Sequence, residues 1–148
     1  MPATMVFHTD GANHLFGILN GSQTKTTNVY LGLRVLDGLS ARPADANIAD
    51  TLTSNLSEVS TAATGYGRVA IAWTAGALST VGGDAVITFP AQIFNFTGSV
   101  TDATHAFLCT TSDNTGRLLT SVPLQAVRNF ASGDSDTVTF KLQLGQHV

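Results

Sequence analysis

The residues most suggestive of chemistry lie in the stretch Gly65–Ala70, which fits the loose pattern G-x-G-x-x-A of dinucleotide-binding turns. That pattern holds a pyrophosphate only when a helix follows the glycines, because the free N–H groups and the dipole of the helix bind the anion. Here the next residues, Arg68–Thr74, place a large apolar side chain at every second position, which is typical of a strand. We therefore interpret the glycines as a strand entry and Tyr66 as an anchor at the sheet edge.

Other reactive groups are too isolated to form a site. None of the histidines has the i, i+4 spacing of a helical zinc site, which favours solvated or hydrogen-bonded imidazoles. Cys109 follows two apolar residues in a predicted strand, which is typical of a buried thiol. Asp134 and Asp136 lack the further oxygen ligands of a calcium loop, so a solvated turn is favoured. The sequence predicts no catalytic residue, no metal and no cofactor. The histidines are His8, His14, His105 and His147.

Aromatic residues are the only feature that points to a carbohydrate-binding platform. Phe89, Phe94 and Phe96 lie on both sides of a proline, and Trp73 belongs to the preceding strand. Such rings stack on sugars when exposed, but in a domain of this size they more often pack in the core. We expect core packing.

The composition excludes several classes of function. Charged residues make up 11% of the chain against 43% hydrophobic residues, and the net charge is −3. Only seven basic residues are scattered along the chain, so we expect no nucleic-acid partner. Serine and threonine provide most of the polar surface. A surface of hydroxyl groups costs little to desolvate, which suits contact with other copies of the chain or with a protein partner.

The sequence also predicts the cellular compartment. With a single cysteine the chain cannot form an internal disulfide. It begins without a basic, then apolar, leader, and no run of about 18 apolar residues follows. We expect a soluble chain that is made in the cytoplasm and has no contact with a membrane.

Periodicity predicts one helix and seven strands. The helix begins at Thr9 or Asp10, which would cap it, and ends near Asn20, before Gly21. Residues 28–36 alternate as a strand with one buried face, and residues 37–64 form a long excursion with a weak helix-like spacing after residue 48. The further predicted strands are Arg68–Thr74, Ala85–Phe89, Gln92–Thr97, Thr104–Thr110, Arg117–Val122 and Asp136–Leu144.

These elements predict an all-β fold, an antiparallel β-sandwich or jelly-roll-like domain, with a small barrel as the alternative. Residues 1–26 would form an N-terminal arm with a short helix, and residues 27–148 a single β-sandwich domain.

Several short motifs, in order along the chain, are similar to those of small virion proteins of tailed bacteriophages. The resemblance extends from about Asn28 to Leu142. Two features depart from the usual pattern, because Gly67 replaces an alanine and the excursion is long. The motifs are TNVYLGL from Thr27, LSEVS from Leu56, GYGRVAIAW from Gly65, AVITFP from Ala85, THAFLC from Thr104 and GRLL from Gly116.

The resemblance implies a non-enzymatic structural protein, most plausibly a capsid decoration (cement) protein on the capsid surface. Its partners would be the major capsid protein and its own copies, in a homotrimer. The alternatives are a tail tube, tail terminator or fibre-associated protein, or a carbohydrate-binding sandwich. Contacts are expected from the arm and the excursion. The residues expected to make them are Met5, Phe7, His8, Leu39, Arg42, Pro43, Ile48 and Leu52.

Overall fold

The computed structural model describes residues 5–36, 38, 48–62 and 65–144. In these ranges the chain is an all-β domain of antiparallel sheets with one short α-helix, which confirms the predicted fold class. No helix in the described ranges is both long and apolar enough to span a membrane. The elements are β1 (Val6–Phe7), α1 (Thr9–Leu19), β2 (Asn28–Arg34), β3 (Val69–Ala72), a 3-10 turn (Trp73–Ala75), β4 (Ala77–Val81), β5 (Asp84–Thr88), β6 (Gln92–Asn95), β7 (Val100–Cys109), β8 (Leu118–Phe130), β9 (Ser135–Val138) and β10 (Lys141–Leu144).

The larger sheet has five strands in the order β1-β8-β7-β2-β3. In its register Leu31 of β2 lies opposite Leu108 of β7, and Leu33 lies opposite Ala106. Because side chains alternate along a strand, these four residues share one side of the sheet, called here the first face. All four are buried in the main hydrophobic core.

Two smaller sheets cover the first face. One has the order β10-β5-β4 and the other consists of β6 and β9. They contribute Phe94 and Leu142, together with Phe89, Phe96 and Phe140 from the connecting turns, to the main core. The core therefore lies between the large sheet and the two small ones, as in a sandwich.

The opposite, second face of the large sheet is buried as well. Residues 48–59, called here the cover segment, lie over it and bury Leu52 and Leu56 against Phe107, Cys109 and other residues of the second core cluster. The predicted single buried face of β2 is therefore wrong for its second half, where Gly32 and Arg34 on the second face are buried. The weak helix-like spacing of the cover segment is also misleading. From residue 49 onward the described chain makes turns and isolated bridges there.

The N-terminal segment belongs to the large sheet. β1 pairs with β8, and α1 packs on the same strand. The helix has the predicted bounds and ends before Gly21, whose φ of 78° is left-handed. The predicted cap is wrong, because His8 occupies the N-cap position and makes no side-chain capping bond. Asp10 instead accepts hydrogen bonds from Arg117 and from the backbone N–H of Leu118.

Periodicity missed two strands, the two-residue β1 and the exposed strand β4. All five residues of β4 are exposed, so no alternation of buried and exposed positions marks it. It forms a hairpin with β5 through Gly82 and Gly83, both with positive φ, as the tight turn requires. The predicted final strand is also divided into β9 and β10, which join different small sheets.

The close approach of α1 to β8 gives the first prediction. A methyl group at Gly11 would lie 2.3 Å from the carbonyl oxygen of Leu119, a backbone atom that cannot yield without moving the strand. Gly11→Ala should lower the free energy of unfolding by about 1–3 kcal/mol, measured by urea denaturation. Gly67→Ala is the control, because nothing lies within 4 Å of its added methyl group. Equal stability of the two variants would contradict the packing described for α1.

Candidate functional site

The buried polar side chains of the domain concentrate beneath the cover segment, on the second face of the large sheet. One of the fully buried side chains there is Arg34, the last residue of β2, which has no exposed surface. Its guanidinium pairs with Asp50, and its Nε donates to the carbonyl of Leu56 at 2.6 Å. Its Nη2 also donates to the carbonyl of Asn55 at 3.0 Å, and its Nη1 to Ser121 Oγ of β8 at 3.1 Å. One side chain thus binds the cover segment to two strands.

Burial disfavours the charged form of the Arg34 guanidinium. Desolvation lowers the pKa of Arg34, while the hydrogen bond and the charge of Asp50 oppose that shift. Arg34 and Asp50 therefore depend on each other, because removing either would leave the other charge buried without the counter-charge of this ion pair.

Two histidines border the Arg34 group. His8 Nε2 lies 2.7 Å from Ser121 Oγ, and His105 of β7 is the register partner of Arg34. His105 Nδ1 lies 2.9 Å from Thr104 Oγ1. Desolvation, together with the nearby charges of Arg34 and His8, lowers the pKa of His105 to about 4. His105 is therefore neutral at physiological pH.

A second polar group ties the end of the cover segment to the entry of β3. Arg68 donates to both carboxylate oxygens of Glu58, from Nε at 2.9 Å and from Nη2 at 2.7 Å. The Tyr66 hydroxyl donates to Glu58 at 2.9 Å and accepts the backbone N–H of Leu33 at 2.7 Å. Tyr66 is 4% exposed, and burial raises the pKa of its phenol. The predicted role of Tyr66 as an anchor at the sheet edge is confirmed.

Arg68 extends this group to the turn between β7 and β8. It donates to the carbonyl of Thr111 at 3.3 Å and to Asn114 Oδ1 at 2.7 Å. Its guanidinium carbon lies 5.5 Å from the centroid of the Phe107 ring, within reach of a cation–π interaction. The stretch Gly65–Ala70 is thus a structural junction that opens β3.

Backbone pairing explains why these groups meet at this place. β3 pairs with β2 only as far as Leu31, so β3 does not occupy the edge of β2 beyond that residue. The cover segment takes over, with Val35 N–H donating to Ser57 at 2.8 Å and Val59 N–H donating to Leu33 at 3.0 Å. Glu58 becomes the partner of Arg34 in an isolated antiparallel bridge. The pairing places Glu58 where Tyr66 and Arg68 reach it.

The other candidate chemical groups have structural roles. His14 Nδ1 lies 2.5 Å from Gln23 Oε1, so the three described histidines are hydrogen-bonded, as predicted, and His147 lies outside the described residues. Cys109 is buried, as predicted, and burial raises the pKa of its thiol to about 11. Asp134 accepts the N–H of Ala131.

The predicted solvated turn is wrong for Asp136, which lies in β9, is buried and pairs with Arg128. Among the described residues no three His, Cys, Asp or Glu side chains are grouped as a metal site would need.

The aromatic residues pack in the core, as predicted. Phe94 stacks on Tyr66 with centroids 5.7 Å apart, and Phe96 stacks on Phe130 at 4.2 Å. Phe89 is fully buried beside Trp73. These rings leave no described flat aromatic surface for a sugar.

The residues expected to make external contacts differ in how far their side chains are exposed. His8 and Leu52 are 0% and 2% exposed, so their side chains support the interior. Met5, Phe7 and Ile48 are half-buried and present part of their surface. The contact role of this set stays a prediction. Leu39, Arg42 and Pro43 lie outside the described residues.

Sequence reasoning missed the ionic groups beneath the cover segment. Arg34 occupies the side of β2 that alternation assigned to solvent, and Asp50 and Glu58 lie in the excursion. The available signal was a single arginine in an otherwise uncharged strand, followed by an excursion with acidic residues. That signal indicates a buried pair only when the excursion is known to fold back over the strand.

The described part of the domain also contains an open groove next to β7. Val35, Leu36, Gly38, Asp102, Thr104 and Val127 line it. Among these described lining residues Asp102 is the single titratable group, so the groove holds no acid–base pair. The polar groups described above thus hold elements of the domain together.

Comparison with known protein families gives a match. The model of a family described as "Podophage GP4 fiber I protein gp80" matches residues 3–144, nearly the whole chain. No curated protein matches the chain.

The mutual dependence of Arg34 and Asp50 gives a second prediction. Asp50→Ala should lower the free energy of unfolding by about 3–5 kcal/mol in urea denaturation, because it leaves a buried guanidinium without its counter-charge. Arg117→Ala is the control, since Arg117 is 51% exposed and its pair with Asp10 is worth about 0–1 kcal/mol. The double variant Arg34→Met, Asp50→Leu should recover part of the loss. A loss no larger than that of Arg117→Ala would contradict the described burial.

His105 gives a third prediction, on pH dependence. Its pKa is lowered from 6.5 to about 4, so below pH 6.5 the unfolded chain binds a proton that the folded chain does not. Stability should therefore fall as the pH decreases from 6.5 toward 4. His105→Asn keeps a polar atom near Thr104 and should reduce this dependence, measured as urea midpoints from pH 7 to 4.5. His14→Asn, which retains His105, should keep the dependence, and an unchanged slope in His105→Asn would refute the assignment.

Proposed function

The chain belongs to the family described as "Podophage GP4 fiber I protein gp80" and is a phage structural protein, and on this premise we propose that it is a non-enzymatic, fibre-associated component of the virion. The expected resemblance to phage virion proteins is confirmed at the level of the class. The family description, which names a fibre protein, is the observation that carries the proposal and favours the tail over the capsid surface.

The use of charge in the fold supports an assembly role. All four described arginines form ion pairs within the chain, with Asp50, Glu58, Asp10 and Asp136. Since charged residues are only 11% of the sequence, these internal pairs leave a surface with few free charges. Such a surface is cheap to desolvate against other virion proteins, because few hydrated ions must be removed.

Capsid decoration remains the competing proposal, with a homotrimer that bridges major capsid proteins on the capsid surface. It rests on the sequence motifs and requires the arm and the excursion to contact the shell. Tail tube and tail terminator positions are further alternatives. A carbohydrate-binding function has the least support, since the aromatic rings that suggested it are in the core.

The position of the protein on the intact particle tests the proposal. Antibodies raised against the purified chain should label the fibres of purified virions in immunogold electron microscopy. Label over the whole head would instead support capsid decoration, and label along the tail would support a tube or terminator protein. Particles that contain none of the chain, by label and by mass spectrometry, would overturn a virion role. Preimmune serum on the same grids is the control.

A further inference from the structure

We propose that the exposed edge of β4 pairs with β4 of a second copy of this chain, in antiparallel orientation about a two-fold axis at Ser79. The inference concerns how copies associate and does not depend on where the protein lies in the virion. It rests on the backbone of the β4 edge, its lack of protection against pairing, and the match of the strand to itself.

The backbone of β4 leaves part of its hydrogen-bonding capacity directed outward. β4 ends the sheet order β10-β5-β4, and among the described strands it pairs with β5 alone. Val81 and Asp84 flank a two-residue turn, so they form a hydrogen-bonded pair, as do Ser79 with Val86 and Ala77 with Thr88. The N–H and C=O groups of Leu78 and Thr80 must therefore point away from β5.

The β4 edge lacks the features that normally prevent pairing. Proteins protect edge strands with charged side chains, proline or bulges. The strand Ala-Leu-Ser-Thr-Val contains no charge and no proline, and its register with β5 is continuous. The opposite edge of the same sheet, β10, begins with Lys141. The contrast indicates that β4 is the edge available for pairing.

An apolar row crosses the small sheet from β10 to β4 and becomes exposed at β4. Leu142, Ile87 and Leu78 are register partners on neighbouring strands and so share one side of the sheet. Leu142 is 8% exposed, Ile87 is partly buried, and Leu78 is 77% exposed. The row therefore continues beyond the part of the sheet that the core covers.

A second β4 strand would satisfy both the backbone and the side chains. With Ser79 on the axis, Leu78 faces Thr80 of the second copy, and these residues exchange about four hydrogen bonds across the axis. The two Leu78 side chains become diagonal neighbours on one side of the sheet. On the other side Val81, which is 58% exposed, faces Ala77 of the second copy. This self-complementarity identifies a second copy as the occupant.

Cysteine cross-linking of the full chain tests the register. Ser79→Cys places two thiols directly opposite each other in a non-hydrogen-bonded pair, about 4.5 Å apart at Cα and within disulfide range. Mild oxidation should therefore give a covalent dimer on non-reducing gels. Thr80→Cys is the matched control, because its two copies lie diagonally at about 8 Å, beyond that range. The native thiol, Cys109, is buried.

Light scattering of the uncross-linked chain tests the association itself. The parent chain should form dimers, and Leu78→Lys should weaken the dimer by about tenfold or more, since two like charges would become diagonal neighbours on one side of the paired strands. At a chain concentration low enough for both proteins to be monomeric, the urea midpoint of Leu78→Lys should match that of the parent, because Leu78 is exposed in the single chain. A monomeric parent chain, equal cross-linking of the two cysteine variants, or a dimer unaffected by Leu78→Lys would each overturn the proposal.

Discussion

The buried guanidinium of Arg34 is the constraint on which the second face of the large sheet depends. A charge without exposed surface must have its counter-charge and its hydrogen-bond acceptors supplied by the chain itself. Here the cover segment supplies both, through Asp50 and through the carbonyls of Asn55 and Leu56. The cover segment is therefore held by a directional ionic contact in addition to the apolar contacts of Leu52 and Leu56.

The cover segment also pairs with the part of the β2 edge that β3 does not reach, beyond Leu31. The cover segment completes the pairing of β2 through Ser57 and Val59, and Tyr66 satisfies the remaining N–H of Leu33. Glu58 then joins Tyr66 and Arg68 in one group. An irregular segment thus acts as part of the sheet, and the edge of β2 beyond Leu31 is closed to outside strands.

The ion pairs within the chain determine how much unpaired charge the surface of the domain presents to other proteins. The described arginines all form ion pairs within the chain, those of Arg34 and Arg68 buried, so a chain already poor in charge presents a surface rich in hydroxyl and small apolar groups. A surface of this kind suits a structural protein of a phage, because few hydrated ions must be removed when a neighbouring protein covers it. The open edge of β4 contrasts with the closed edge of β2, and this difference marks β4 as the site where a neighbouring strand can be added.

The sequence by itself determined the all-β class, the bounds of α1, most of the strands, the anchor role of Tyr66 and the burial of Cys109 and the core aromatics. These features follow from local periodicity and turn residues, which report how one segment meets a hydrophobic core. Only the tertiary structure decided that Arg34 is buried, that residues 48–59 cover it, and that β4 is a strand. Periodicity cannot show these features, because each depends on residues far apart in the chain: the burial of Arg34 requires Asp50 and Ser121 to meet it, and an exposed strand such as β4 is defined by its partner β5.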